Sequence, residues 1–290
     1  MKLQNNGKNL REILAGPDIL ILPGVYDALS AKIAAQVGYR GLIMGGYAVA
    51  ASRLGEPDVG YISMTEMAEA LHGITRAVDV PVIADGDTGY GNALSAQRTV
   101  REYELAGAAG ILLEDQLWPK RCGHMAGKQV IDASEHAKKI RAAADGKLNP
   151  DTLLIARTDA RAVLGLDAAL ERGKLYMDSG ADALFVEAPQ NRAELEQIAK
   201  TFPDTILMAN MVEGGRTPNV TAKELEEMGF KMVAYPCFLT YTVTKALQDV
   251  LTSLKQNGTT NECLDKMLHF TEFNKFIGLE DYNELDKKYK

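Results

Sequence analysis

The chain has 290 residues, 46% of them hydrophobic, so it can bury a large core, and one α/β barrel of ordinary size would use most of the length. A net charge of -7 and an isoelectric point near 5.3 argue against a nucleic-acid or anionic-membrane footprint. Three cysteines without regular spacing, Cys122, Cys237 and Cys263, fit neither a disulfide framework nor a zinc site.

The opening stretch MKLQNNGKNLREIL is polar and lacks the apolar core of a signal sequence. No run approaches the ~20 apolar residues of a membrane span, so a cytoplasmic location is expected. Further on, short apolar runs rich in β-branched residues recur with helical patterns between them. Strands are predicted near Ile19–Leu22, Gly41–Met44, Pro81–Ala84, Gly110–Leu113, Thr152–Ala156, Ala183–Val186, Ile206–Ala209 and Lys231–Ala234. Their hydrophobicity is continuous rather than alternating, which implies burial on both faces and a parallel sheet. Capping boxes mark helix starts at Ser63 with Glu66 and at Thr221 with Glu224, the latter helix stopped by Gly229. Eight such units predict a (β/α)8 barrel over residues 1–256. The tail, residues 257–290, is polar but carries Phe270, Phe273, Phe276 and Tyr282, which sit poorly in water.

Polar residues fall at or just after the C-terminal ends of these strands: Asp85 and Asp87, Glu114 and Asp115, Arg157 and Asp159, Glu187, and Asn210. Barrel active sites are assembled from those ends and their loops. Solvent-facing loop charge explains any one of them, but not five consecutive strand ends. Asp58, Asp85, Asp87 and Glu114 come without a companion set of histidines or cysteines. Oxygen-only, loosely spaced ligands of this kind suit a hard cation such as Mg²⁺, with Mn²⁺ as a substitute. Taken alone, Asp85-Gly-Asp87 is a turn as readily as a metal site. Gly45, Gly46 and Tyr47 follow the second strand, where glycines let backbone N–H groups approach a carboxylate or developing oxyanion, or simply make a tight turn. Arg157 offers a fork of donors suited to a substrate carboxylate. Gly89-Tyr-Gly91 lacks the spacing of a dinucleotide fingerprint.

The run Lys120-Arg121-Cys122-Gly123-His124 carries the most chemistry. Flanking cations and an imidazole are expected to pull the Cys122 thiol below its free pKa, and Lys120 and Arg121 to give carboxylates a docking place. A surface cysteine in a basic loop is the bland alternative for an isolated Cys-Gly-His. Gly123 and Gly127 suggest a loop that closes over the site and excludes water.

KRCGH resembles the signature of the isocitrate lyase and phosphoenolpyruvate mutase superfamily. GGY at Gly45–Tyr47, DGDTGYG at Asp85–Gly91, EDQ at Glu114–Gln116, ARTDA at Ala156–Ala160, VEAP at Val186–Pro189 and NMVEGG at Asn210–Gly215 match in order. The resemblance runs from about Leu20 to the C-terminus and is closest to the short members, the 2-methylisocitrate and 2,3-dimethylmalate lyases and the petal-death-type proteins. It implies direct contact of Asp85 with Mg²⁺ and water-mediated contact through Asp58, Asp87 and Glu114. It implies too that Gly45, Gly46, Tyr47, Gly123, Arg157, Glu187 and Asn210 bind substrate, and that the last barrel helix is exchanged between subunits of a dimer of dimers. Packing of the tail on its own barrel stays open.

The reaction implied is reversible C–C cleavage of a di- or tricarboxylate bearing a 2-hydroxyl. Cys122 is the general acid that protonates the departing enediolate, with Lys120 and His124 tuning its charge. Three rivals stand beside it. Phosphoenolpyruvate mutase carries asparagine-serine after the loop lysine, where this chain has Cys122, and carboxyphosphonoenolpyruvate mutase stands beside it as an alternative. Oxaloacetate hydrolases carry a serine near the end of the eighth strand, where this chain has Tyr235-Pro236-Cys237. A barrel that only binds would have lost a family position, and each is chemically intact here. Among lyases, 2-methylisocitrate enzymes continue Arg-Pro-Asn-Lys after the histidine. The run Met125-Ala126-Gly127-Lys128 favours a smaller substrate such as 2,3-dimethylmalate.

Overall fold

A computed structural model describes residues 6–125 and 127–290. The first five residues of the opening stretch, and Ala126 of the Met125–Lys128 run, lie outside the described residues. Eight parallel strands close into a barrel in sequence order: β1 Leu20–Val25, β2 Leu42–Met44, β3 Val82–Asp85, β4 Gly110–Glu114, β5 Leu153–Thr158, β6 Ala183–Val186, β7 Ile206–Asn210 and β8 Met232–Tyr235. The last strand pairs with the first, Leu20 opposite Met232 and Pro23 opposite Tyr235. Several strands run a residue or two past their apolar stretch and so carry Asp85, Glu114, Thr158 and Asn210 in the sheet itself. The barrel ladder thereby fixes the backbone of site residues.

One core lies inside the barrel, where Leu20, Leu22, Ile43, Ile83, Leu112, Leu153, Ile155, Phe185, Met208 and Met232 meet. Two further clusters fill the layer between strands and helices. Both predicted capping boxes form, at Ser63 with Glu66 and at Thr221 with Glu224, and Gly229 ends its helix in the left-handed region at φ 108°. The opening stretch differs from its polar reading. Asn6–Leu14 is a helix whose Leu10 and Leu14 plug the barrel interior. Arg11 pins it, with Nε donating to the Asp151 carbonyl at 2.8 Å and Nη2 to Asp182 Oδ1 at 2.8 Å.

The chain divides into two compact units, the first ending at Leu239 and the second spanning Thr240–Lys290. Helix Phe238–Asn257 enters the second unit and has no buried residue of its own. The expected boundary after residue 256 falls at the end of this helix. Beyond it lie the helices Phe270–Phe276 and Leu279–Tyr289. Among the described residues, no helix is long and apolar enough to cross a membrane.

Candidate active site

The C-terminal ends of the strands surround one pocket. Of the fourteen residues read from sequence as site residues, all but Asp87 line it, together with Ile43, Leu112, Phe185, Met208, Val212, Ala234, Pro236 and Cys237. Asp87 lies directly behind, fully buried.

The carboxylates cluster through backbone geometry. Asp85, the last residue of β3, accepts from the Asp87 N–H at 3.0 Å and from the Gly46 N–H at 3.2 Å. Asp87 holds φ 48°, a left-handed conformation that costs a non-glycine residue energy. Tyr90 OH donates to Asp87 Oδ2 at 3.0 Å, and Tyr103 OH to the Asp85 carbonyl at 3.2 Å. A Cβ on Gly46 would stand 3.1 Å from Asp87 Oδ1 and 3.2 Å from Lys120 Nζ, so a side chain there would press on both groups. Gly45 faces open space instead, so crowding does not demand a glycine there.

Lys120 is 3% exposed and places Nζ 2.6 Å from both Asp58 Oδ1 and Asp87 Oδ1. Its charge is taken up by these two carboxylates. Lys120 nevertheless lines the pocket, as does Arg121, an exposed residue. Burial raises the Cys122 thiol above its ordinary 9.0, with Glu187 and Asp58 adding to the rise and the backbone N–H of His124 and Arg157 opposing it. The direction is opposite to the expected downward pull, because burial outweighs the help of the His124 N–H and Arg157.

Gly123 packs where nothing larger fits: a Cβ would meet Arg157 Nη2 at 2.5 Å and Glu187 Cδ at 2.6 Å. His124 Nδ1 accepts from the Arg216 N–H at 3.0 Å, which leaves Nε2 to carry the proton 3.2 Å from Glu187 Oε1. Gly215 permits that approach, since its Cβ would lie 2.6 Å from His124 Nδ1. Gln116 staples the start of the loop, its Nε2 donating to the Arg121 carbonyl at 2.8 Å and its Oε1 accepting from the Arg121 N–H at 3.0 Å.

Arg157 is held by three carboxylates. It donates through Nε and Nη2 to Asp159 at 2.9 and 3.1 Å, and stands 3.2 Å from Glu114 and 3.3 Å from Glu187. Its guanidinium lies 5.4 Å from the centre of the Phe185 ring. Burial would raise the Glu187 carboxyl, yet Arg157, His124 and Lys128 hold it at about 2. Asn210 Nδ2 donates to Glu187 Oε2 at 3.3 Å.

No group of three or more His, Cys, Asp or Glu side chains among the described residues is arranged to hold a metal alone. The donor set nevertheless fits a hard cation that keeps most of its waters, because the pocket offers carboxylate oxygens from Asp58, Asp85 and Glu114. Excess negative charge points the same way. Burial, opposed by Lys120 but reinforced by Asp85 and Asp58, pushes Asp87 up to about 7. Burial likewise raises Glu114 well above the carboxylate range despite Arg157. Glu114 Oε1 and Asn210 Oδ1 are buried without a hydrogen-bond partner, as polar atoms awaiting a ligand would be.

Sequence reasoning missed Lys128 and the role of Asp159. Asp159 lies two residues after Arg157, the period that puts neighbours on one face of a strand, and that spacing was a usable signal. Nothing local marks Lys128, whose partner is 31 residues away.

The profile of the family described as phosphoenolpyruvate phosphomutase matches residues 10–255. The chain belongs to this family, in the superfamily it shares with isocitrate lyase. Among its relatives, 2,3-dimethylmalate lyase of Eubacterium barkeri is 47% identical over 285 residues, covering 98% of each chain. The chloroplastic carboxyvinyl-carboxyphosphonate phosphorylmutase of Arabidopsis thaliana is 50% identical over 275 residues, 93% of this chain and 81% of the relative. A solved structure of oxaloacetate acetylhydrolase with the inhibitor 3,3-difluorooxalacetate superposes with a TM-score of 0.94 at 34% identity, covering 99% of this chain and 97% of that one.

Proposed function

We propose that the chain is a Mg²⁺-dependent carbon–carbon lyase that cleaves a 2-hydroxy dicarboxylate, with 2,3-dimethylmalate, split to pyruvate and propanoate, preferred over 2-methylisocitrate. The observation that carries this is Cys122: a thiol in the pocket wall, kept protonated by burial, is suited to giving a proton to carbon. The two relatives are named for different reactions at similar identity, so overall likeness does not choose between them. Cys122 supports the lyase reading, because phosphoryl transfer to carbon needs no proton donor to carbon at that point.

Asp85 would hold the cation, with Asp58, Asp87 and Glu114 on its waters. When bound, it supplies Lewis-acid polarisation of the substrate's 2-oxygen and the adjoining carboxylate. Arg157 and Asn210 orient the substrate, and the carboxylate ring accepts the hydroxyl proton. The bond between C2 and C3 then breaks, one half leaving as an α-keto acid and the other as an enediolate. Cys122 protonates the enediolate carbon while the seated loop excludes water. Ile43, Leu112, Phe185, Met208 and Val212 give the pocket apolar walls, which suit aliphatic substituents better than a third carboxylate. We further propose a cytoplasmic enzyme assembled as a dimer of dimers that exchanges its last barrel helix.

Oxaloacetate hydrolysis is a second reading, favoured by the close superposition with a hydrolase. Pro236, in the pocket wall, opposes it, because proline has no donor for a hydrated carbonyl or oxyanion. The test is kcat/KM for 2,3-dimethylmalate, 2-methylisocitrate, isocitrate and oxaloacetate. Activity should vanish on chelation and return with Mg²⁺ or Mn²⁺. Pro236→Ser should move the ratio toward oxaloacetate about tenfold, as one hydrogen bond to charge allows. A wild type that already prefers oxaloacetate defeats the lyase reading.

A further inference from the structure

We propose that Lys128 is a positioning residue that readies Arg157 for an anionic substrate whenever the Cys122 loop is seated. Arg157 starts from an unpromising position, because Asp159, Glu114 and Glu187 all claim its guanidinium. One cation among three anions is a poor receptor for a fourth carboxylate.

The loop changes that balance. Lys128 Nζ lies 2.7 Å from Asp159 Oδ1, the oxygen that also accepts from Arg157 Nη2. The same Nζ donates to the Gly123 carbonyl, one residue beyond the thiol. The Lys128 side chain is 2% exposed and Asp159 is fully buried, so water screens this pair little. A second positive charge on Asp159 loosens its claim on Arg157 and leaves that guanidinium a stronger donor toward the pocket. Lys128 does not line the pocket and reaches the substrate only through this pair.

Asp159 is in turn fixed from behind. Asp115 Oδ1 accepts from the Asp159 N–H at 2.8 Å, and Asp115 Oδ2 accepts from Thr158 Oγ1 and Tyr176 OH at 2.8 Å and from Arg172 at 2.9 Å. Asp159 is thereby fixed in place, and Lys128 ties the Cys122 loop to it through the Gly123 carbonyl. Anion binding and loop seating are in consequence coupled, each strengthening the other.

The inference rests on the proposed function in one respect, that the pocket takes a carboxylate. The test uses oxalate, the smallest dicarboxylate, titrated calorimetrically into the full chain with Mg²⁺. Lys128→Gln keeps a donor for the Gly123 carbonyl but removes the charge. It should weaken oxalate by about 5–150-fold, the usual size of such couplings. Lys128→Gln/Asp159→Asn removes the anion that Lys128 balances and should regain most of that loss, whereas Lys128→Arg should stay near wild type. Trypsin cleavage after Arg121 reports loop seating: oxalate should protect the wild type but not Lys128→Gln. Equal oxalate affinity in wild type and Lys128→Gln overturns the inference, as does a double variant that regains nothing. A wild type that binds no oxalate overturns the carboxylate reading itself, which is a different result.

Discussion

Cys122 illustrates how a residue's neighbours in sequence differ from its neighbours in space. Lys120 precedes it by two positions, yet its ammonium lies between Asp58 and Asp87 at 2.6 Å from each. Burial then dominates, and the thiol is pushed up rather than down. For a general acid this is the useful direction, because the protonated form is the active one. Turnover should hold through neutral pH and decline only on the alkaline side of a free thiol's range. An alkaline limb near neutrality that disappears in a Cys122 variant would contradict this. Cys122→Ala should lower kcat by ~10²–10⁴-fold while leaving oxalate affinity near wild type. Cys122→Ser should not restore turnover, since a hydroxyl has no accessible pKa. Cys263→Ala, remote in sequence and in the second unit, is the control. Cys237 lies in the pocket wall and cannot serve as one.

At the scale of elements, the eight strands were legible because a buried parallel strand must be apolar along its whole length, and this chain has eight such runs. Their ends were less so. Asp85, Glu114, Thr158 and Asn210 extend strands although they are polar, since the ladder of backbone hydrogen bonds continues beyond the apolar stretch. The site residues were legible for the same reason, as polar residues at the ends of strands. Their pairings were not, because Lys128 with Asp159 or His124 with Arg216 joins loops far apart in the chain. The first helix was hidden in another way: Leu10 and Leu14 are two apolar residues in a polar run, and only the barrel floor gives them a role. Leu10 is fully buried there, so Leu10→Ala should cost about 2–5 kcal/mol in urea or guanidinium unfolding. Its kcat should be unchanged, because the catalytic groups sit at the opposite ends of the strands. A fall in kcat without loss of stability would refute that separation.

The whole molecule poses the remaining question, which is what covers its apolar surface. Helix Phe238–Asn257 has no buried residue, and its Leu247, Leu251 and Leu254 are 52%, 60% and 40% exposed. In the tail, Phe270 is 85% exposed and Tyr282 71%. A soluble monomer rarely leaves so much large apolar surface in water, since each buried Leu or Phe side chain is worth roughly 1.5–3 kcal/mol. The proposed dimer of dimers, with this helix exchanged, would cover it. The wild type should therefore sediment well above its 31.5 kDa chain mass, and its Tm should rise with protein concentration, as mass action requires when folding and association are linked. Leu247→Glu/Leu251→Glu places two charges on the face and should shift the particle toward a monomer with a lower Tm. The barrel carries every site residue within its own unit, so a monomeric double variant should still bind oxalate, if more weakly. A wild type that sediments as a monomer at micromolar concentration, with Tm independent of concentration, would leave the assembly without support.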